Sequence, residues 1–293
     1  MNETDGAPRG SVRELGRFLE IQNLGLNLPF ALAFLFLAAR GIPSLLTVGL
    51  VVVAFVAARN AGHSFNRWVD RYQDAANPRT RDRALAAGRL SGRFALAVCA
   101  ANAAVLLGAA YLLNPLAFVL APLALALVLG YSYTKRVTAF TTAFLGVVEA
   151  VTPAAVYIAV TGTLPPVVLF AVGGLLAWGT AFETIHSLGD LESDRALGLF
   201  SLPRRLGIRA SVRLVSVLHG VALALLAVFG LALGLSIPYF AGLVGMAAIS
   251  VFNDRALARR PTATRVPFER HFALGALYLA GALLALFVPF GPG

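Results

Sequence analysis

Residues 44–59 read Ser-Leu-Leu-Thr-Val-Gly-Leu-Val-Val-Val-Ala-Phe-Val-Ala-Ala-Arg, and residues 66–74 read Asn-Arg-Trp-Val-Asp-Arg-Tyr-Gln-Asp. The first stretch is apolar up to Arg59. The second puts oxygen-bearing side chains at Asn66, Asp70 and Asp74, a four-residue spacing that stacks them on one face of a helix. The same succession returns at 165–182, an apolar stretch that runs into Glu183-Thr-Ile-His186-Ser-Leu-Gly-Asp190-Leu-Glu-Ser-Asp194. Working outward, apolar segments recur at 24–39, 44–59, 95–113, 116–133, 139–161, 165–182, 212–234, 237–252 and 272–290. The pattern predicts nine transmembrane helices and an all-α polytopic membrane protein.

Composition agrees. Of 293 residues, 58% are hydrophobic and 13% charged, with a mean hydropathy of +0.78; a soluble domain carries about 25% charge. The lone Cys99 excludes an internal disulfide framework and any cysteine-built metal centre. A net charge of +10 would raise nucleic acid as a partner for a soluble chain, but the basic residues are placed otherwise. Short turns such as Gly41-Ile42-Pro43 and Asn114-Pro115 alternate with charged connections near 60–94, 134–138, 183–211 and 253–271. Of the 24 Lys and Arg, all but Arg40 lie in the N-terminal segment or on the side of these connections. That bias assigns the charged side, with the N-terminus, to the cytoplasm, and the uncharged tail Pro289–Gly293 to the opposite side. Nucleic acid is excluded as a partner, and membrane lipid is the expected surrounding. Residues 1–20 are polar and mixed in charge, unlike a cleavable signal. The expected organisation is a polar cytoplasmic N-terminus over 1–23 and a single transmembrane domain over 24–290, with motif-bearing cytoplasmic loops at about 60–94 and 183–211.

The chemistry concentrates on that side. Glu183, Asp190 and Asp194, at i, i+7 and i+11, read as a second helical stripe, with His186 on it. One Asp-x-x-x-Asp near a span end is commonly a solvated loop feature; two on one membrane face, the first extended by Asn66 and flanked by Arg67 and Arg71, point to a shared site. Such clusters suit Mg²⁺, which takes carboxylate, phosphate and water oxygens. They would hold a diphosphate through the cation, since carboxylates alone repel it. Lys135 and Arg136, beside the same face, add fixed positive charge, and arginine forks onto phosphate oxygens. Glu149, inside a span, is a functional candidate because an intramembrane carboxylate is costly. His63, His219 and His271 read as structural, and Trp68 and Trp178 as interfacial anchors.

Asn66-x-x-x-Asp70-x-x-x-Asp74 followed by Asn77-Pro-Arg-Thr80, Arg83 and Gly88-Arg-Leu-Ser91 resembles the first signature of the UbiA superfamily of intramembrane prenyltransferases. Asp190-x-x-x-Asp194 followed by Gly198-Leu and Ser201-Leu-Pro203 resembles the second, and Tyr131-Ser-Tyr-Thr-Lys135-Arg136 is similar to the segment after the family's fourth helix. The resemblance covers about residues 17–270. It implies nine transmembrane helices around a central cavity open sideways to lipid. It implies a polyprenyl diphosphate held through Mg²⁺ by Asp70, Asp74, Asp190 and Asp194 with Asn66, and phosphate contacts from Arg71, Lys135 and Arg136. It also implies an aromatic acceptor.

Arg67 in the first motif resembles the 4-hydroxybenzoate polyprenyltransferase-like branch, which includes an enzyme acting on 1,4-dihydroxy-6-naphthoate; the implied pathways are ubiquinone or menaquinone synthesis. Glu183 and His186 stand where that branch usually has Asp and Tyr, which leaves the acceptor open. Homogentisate, a haem vinyl group or a glycerol ether are alternatives. The signature of CDP-alcohol transferases, Asp-Gly-x-x-Ala-Arg, is absent. A proton-coupled secondary transporter would use Glu149, Glu183 and His186 as a relay, but it would place its charges near the bilayer midplane.

Overall fold

The computed structural model describes residues 12–288, so residues 1–11 and the tail Pro289–Gly293 lie outside the described residues. All regular structure among the described residues is helical, the α-helices running in the order α1 Val12–Phe18, α2 Leu24–Ala39, α3 Leu45–Ala76, α4 Gly92–Leu113, α5 Pro115–Val137, α6 Thr141–Thr161, α7 Val168–Gly189, α8 Leu191–Ala196, α9 Leu202–Leu206, α10 Ile208–Ala232, α11 Ile237–Arg259 and α12 Arg265–Phe287. Nine of these are long and apolar enough to cross a membrane, and each coincides with an expected span. A helix satisfies its own backbone polar groups, so it is one of the two structures that can stand in hydrocarbon. The chain is an integral membrane protein.

Consecutive spans pack against one another around the molecule, and α12 closes the circuit on α2. The tightest crossing is α6 on α7. There Gly146 and Gly179 let the two backbones approach: a Cβ on Gly146 would stand 2.2 Å from Thr180 Oγ1 and 2.5 Å from the Leu176 carbonyl oxygen. Small residues serve this purpose where lipid supplies no hydrophobic drive for helix association. On the other side of α7, an aromatic core joins α2, α10, α11 and α12. Phe34 meets Phe229 and Tyr278, and the Tyr239 hydroxyl donates to the Leu226 carbonyl at 2.9 Å.

Turn chemistry explains the short links. Ser44 and Ser91 cap α3 and α4 by accepting from the backbone N–H of Thr47 and Phe94. Asn114 does two jobs. Its Oδ1 accepts from Ala117 N–H at 2.9 Å to cap α5, and its Nδ2 donates to the last carbonyls of α6, those of Ile158 and Ala159. Asn114→Ala is therefore expected to lower stability by about 1–2 kcal/mol. Thermal unfolding in detergent would record this as a lower midpoint.

Two expected boundaries shift. The loop placed at 60–94 is helix as far as Ala76, so the first acidic motif rides on α3 and only 77–91 is irregular or turn-like. Asn60–Ala76 consists largely of residues compatible with a helix but too polar for an apolar run. The stripe from Glu183 to Asp194 is not continuous, because α7 stops at Gly189 and α8 begins at Leu191. Gly189 lies against Thr264, where a Cβ would stand 2.5 Å from the threonine hydroxyl oxygen. Asp190 at the break has φ −97° and ψ 4°, outside the helical basin.

Candidate functional site

The charged ends of α3, α5 and α7 converge with the 77–91 connection. On α3, Asn66 Nδ2 donates to Asp70 Oδ2 at 3.0 Å, as the four-residue spacing dictates. From α5, the Arg136 guanidinium reaches Asp70 Oδ1 at 2.8 Å and the Val69 carbonyl at 3.0 Å, while its other nitrogen holds the Ser132 carbonyl. One turn of helix thus locks Arg136 onto the first motif. Lys135 faces the second motif: its Nζ lies 3.7 Å from Glu183 Oε1, which also accepts from the Tyr131 hydroxyl at 2.8 Å. Tyr131, part of a segment quoted above for its resemblance, carried no predicted role. Its position four residues before Lys135 on one helix is the sequence signal for it.

The second motif is tied to the connection that follows the first. Arg79 donates to both oxygens of Asp190, at 2.9 and 2.8 Å, and Asn77 Nδ2 donates to Ser193 Oγ at 3.2 Å. Asp194 is buried, and its Oδ2 has no hydrogen-bond partner. Burial pushes its carboxyl up to about 6, against the pull of Lys135 and with Asp190 adding to the rise.

Asp74, Arg67 and Arg71 sit differently from expectation. Asp74 is buried and clasped by Arg83 Nη1 at 2.7 Å, with Arg67 3.8 Å away. Arg67, expected to bind phosphate, is itself buried and paired with Glu20 of the N-terminal segment. The result is an alternating chain of charge, Glu20–Arg67–Asp74–Arg83, that pins the N-terminal segment and the 77–91 connection to α3. Arg71 stacks on Trp68 and Tyr72, at 5.1 and 4.3 Å from their ring centroids, and donates to the Trp68 carbonyl.

Glu149 lies apart from this cluster, on α6, and accepts from Asn27 Nδ2 of α2 at 2.6 Å. His186 packs between Phe182 and Phe268, at 4.9 Å from each ring. His219 and His271 are structural, bonded to Asp254 and to the Pro267 carbonyl. Trp178 is not an interfacial anchor: it is buried against Phe30, His219 and His271.

The donor set fits Mg²⁺. Asp70, Asp190, Asp194 and Asn66 offer oxygen ligands only, and a hard cation prefers these. The buried Asp194 Oδ2 makes no hydrogen bond, so an oxygen of this carboxylate is left for a cation to take. Among the described residues, no three acidic, histidine or cysteine side chains gather into a cage of their own. A cation here would therefore need further oxygens from a ligand.

Comparison with known proteins agrees with this arrangement. Residues 27–275 match the UbiA prenyltransferase family. A 4-hydroxybenzoate octaprenyltransferase of Alkalilimnicola ehrlichii is 32% identical over 86% of this chain and 86% of its own length. Another, from Xanthomonas campestris, is 34% identical over 77% of this chain and 74% of its own. Among solved structures, the apo form of a UbiA homologue from Aeropyrum pernix superposes with a TM-score of 0.82 at 30% identity, covering 90% of this chain and 98% of that one. A UbiA homologue from Archaeoglobus fulgidus bound to GPP and Mg²⁺ shares the fold, with a TM-score of 0.70 at 20% identity over 94% of this chain and 100% of its own.

Proposed function

From the premise that the chain belongs to the UbiA prenyltransferase family, we propose that it moves a polyprenyl group from a polyprenyl diphosphate onto 4-hydroxybenzoate or 1,4-dihydroxy-6-naphthoate, with Mg²⁺, in quinone synthesis. The enzyme is an integral membrane prenyltransferase for aromatic acceptors. The observation that carries the proposal is the convergence of two acidic motifs far apart in sequence: the adjacent α5 residues Arg136 and Lys135 pair with Asp70 of the first and Glu183 of the second, and the connection that follows the first motif bonds to the second through Arg79–Asp190 and Asn77–Ser193. The naming of relatives as 4-hydroxybenzoate octaprenyltransferases supports that acceptor first. The basic side, with residues 1–23 and the motif-bearing connections, lies in the cytoplasm of a cell whose inner membrane holds a single domain from residue 24 to about 290.

In this reading Asp70, Asp190 and Asp194 hold the cation, with Asn66 orienting Asp70. Asp74 secures α3 to the connection that follows, and it would join the cation only by giving up Arg83. Bound Mg²⁺ supplies Lewis-acid neutralisation of the leaving diphosphate. Arg136 and Lys135 bring positive charge to the same end, and Arg71 leaves its aromatic stack to add to it. Fixed charge aimed at a leaving group lowers the barrier without reorganisation cost. As the allylic C–O bond breaks, the aromatic ring attacks the electron-poor carbon and then loses its proton. Glu183 and His186, three residues apart on α7, hydrogen-bond the acceptor in this reading, Glu183 by giving up Tyr131 or Lys135. The helices around Glu149 hold the prenyl tail in apolar surroundings, where water cannot trap the cation as an alcohol. Acidic groups gathered at one membrane face disfavour a transporter, which needs them at mid-depth.

The test is a paired assay with membranes, Mg²⁺ and a polyprenyl diphosphate. 4-Hydroxybenzoate or 1,4-dihydroxy-6-naphthoate is supplied and products are identified by mass. Prenylation of one of them is expected. Pyrophosphate release without either product would redirect the acceptor to homogentisate, haem or a glycerol ether. No pyrophosphate release from folded protein would refute the proposal.

A further inference from the structure

Arg79 differs from the other cations of this cluster. Its side chain is 57% exposed, whereas the Asp190 carboxylate beneath it is 15% exposed. Arg136 is 26% exposed and is held by two backbone carbonyls besides Asp70. Lys135, 27% exposed, projects from the same helix. Among the described residues the Arg79 guanidinium bonds to Asp190 alone. Its backbone is held separately: Arg79 N–H donates to Asn77 Oδ1, Asn77 Nδ2 donates to Ser193 Oγ, and the Ser193 hydroxyl donates to the Asp190 carbonyl. The guanidinium can therefore leave Asp190 while the turn that carries it stays anchored to the second motif.

We propose that Arg79 is an exchangeable counter-ion. It neutralises Asp190 while the site is empty, and on donor binding it gives the carboxylate up to the cation and turns its fork onto the diphosphate. The proposal rests on the reading of Asp190 as a cation-holding carboxylate. Charge balance supports it. Asp70, Asp190 and Glu183 each have a basic partner within 4 Å. A cation arriving at Asp190 displaces positive charge of the same sign, and a polyanionic diphosphate arriving beside it offers the displaced guanidinium new oxygens. A two-pronged arginine contact fits a phosphate as well as it fits a carboxylate. The site thus exchanges ion pairs instead of opening an uncompensated cluster of acids. The device also sets an order: cation and diphosphate favour each other's entry, because each restores the partner that the other removes.

The consequence has two opposite signs, which a merely structural arginine would not produce. In Arg79→Ala, with no diphosphate present, Asp190 has lost its competitor. Mn²⁺, measured by the electron paramagnetic resonance of the free ion, should bind several-fold more tightly. In the same variant, KM for a prenyl diphosphate at saturating Mg²⁺ should rise about tenfold, the size of one charge-assisted contact. Arg79→Lys should fall between the two on both scales. Weaker binding of both Mn²⁺ and donor, or an unchanged donor KM, would overturn the exchange. Asp190→Asn is the companion variant and should lose the tight Mn²⁺. If it binds Mn²⁺ as the parent does, the cation-holding role of Asp190 fails and the exchange fails with it. If Asp190→Asn loses Mn²⁺ while Arg79→Ala weakens both ligands, the exchange alone is wrong.

Discussion

Asp70→Ala is expected to reduce prenyl transfer at least about a thousandfold while leaving the protein folded and extractable. The magnitude follows from removing one charge from a preorganised electrostatic site, where single donors are worth about a hundred- to a thousandfold and where the lost group would also hold a cation. The survival of the fold follows from the contacts around Asp70. Arg136 loses a 2.8 Å partner but keeps the Val69 and Ser132 carbonyls, so its charge is not stranded. Asn66 loses an acceptor but is not fully buried. Activity and stability should therefore part company in this variant: turnover is read by product mass at saturating donor and Mg²⁺, and integrity by size-exclusion profile and melting midpoint. Near-parental turnover in Asp70→Ala would remove the carboxylate from the chemistry.

Gly146→Leu should act in the opposite way, abolishing the folded protein instead of the reaction. A Cβ at this position would stand 2.5 Å from the Leu176 carbonyl oxygen and 2.2 Å from Thr180 Oγ1. The first is backbone of α7 and cannot move without the helix. Overpacking of a close-packed interface typically costs about 1–3 kcal/mol, and more where backbone must shift; this crossing has no slack. The α6–α7 pair also carries Glu149 and Glu183, so separation would disturb polar groups buried with their partners. Gly108→Leu is the matched control, since an added Cβ there meets nothing within 4 Å. Yield and thermal unfolding in detergent should collapse for the first variant and stay near parental for the second. Equal behaviour of the two would show that the close approach of α6 and α7 is dispensable.

All nine spans were legible in the sequence because hydrocarbon imposes one pattern on any helix that crosses it, and the basic connections marked which ends lie together. The convergence of Asp70 with Arg136 was legible too, in that both motifs sat at span ends on one side. What could not be read was pairing. Arg67 follows the motif asparagine and looks like a phosphate ligand, yet its partner is Glu20, far away in sequence. Asp74 sits in register with Asp70, but Arg83, on the connection beyond it, takes its carboxylate. Helical spacing fixes which face a side chain leaves from; it is silent about which loop returns over that face. The break at Gly189–Asp190 was hidden for a related reason. A glycine inside an apolar helix is tolerated, and the close approach of Thr264, on a later segment, which leaves no room for a side chain at Gly189, is a long-range contact. Trp178 was misplaced because an aromatic ring at this position suits a headgroup belt or a core equally well.

The unequal burial of the spans bears on how freely each can change. Within its most apolar stretch α7 is 67% buried, whereas α5 is 11% buried, although α5 is the more hydrophobic by composition, at a mean hydropathy of 2.0 against 1.6. The two helices answer to different judges. A side chain on the outer face of α5 need only dissolve in acyl chains, so leucine, valine, phenylalanine and isoleucine are interchangeable there. A side chain on α7 must match the shape of particular neighbours on α6 and α10, so even swaps between equally greasy residues are constrained. In a saturation library scored for folded protein, the permissive positions should trace a stripe along α5, and α7 should stand out as the least editable span, an inversion that no hydropathy profile would foretell.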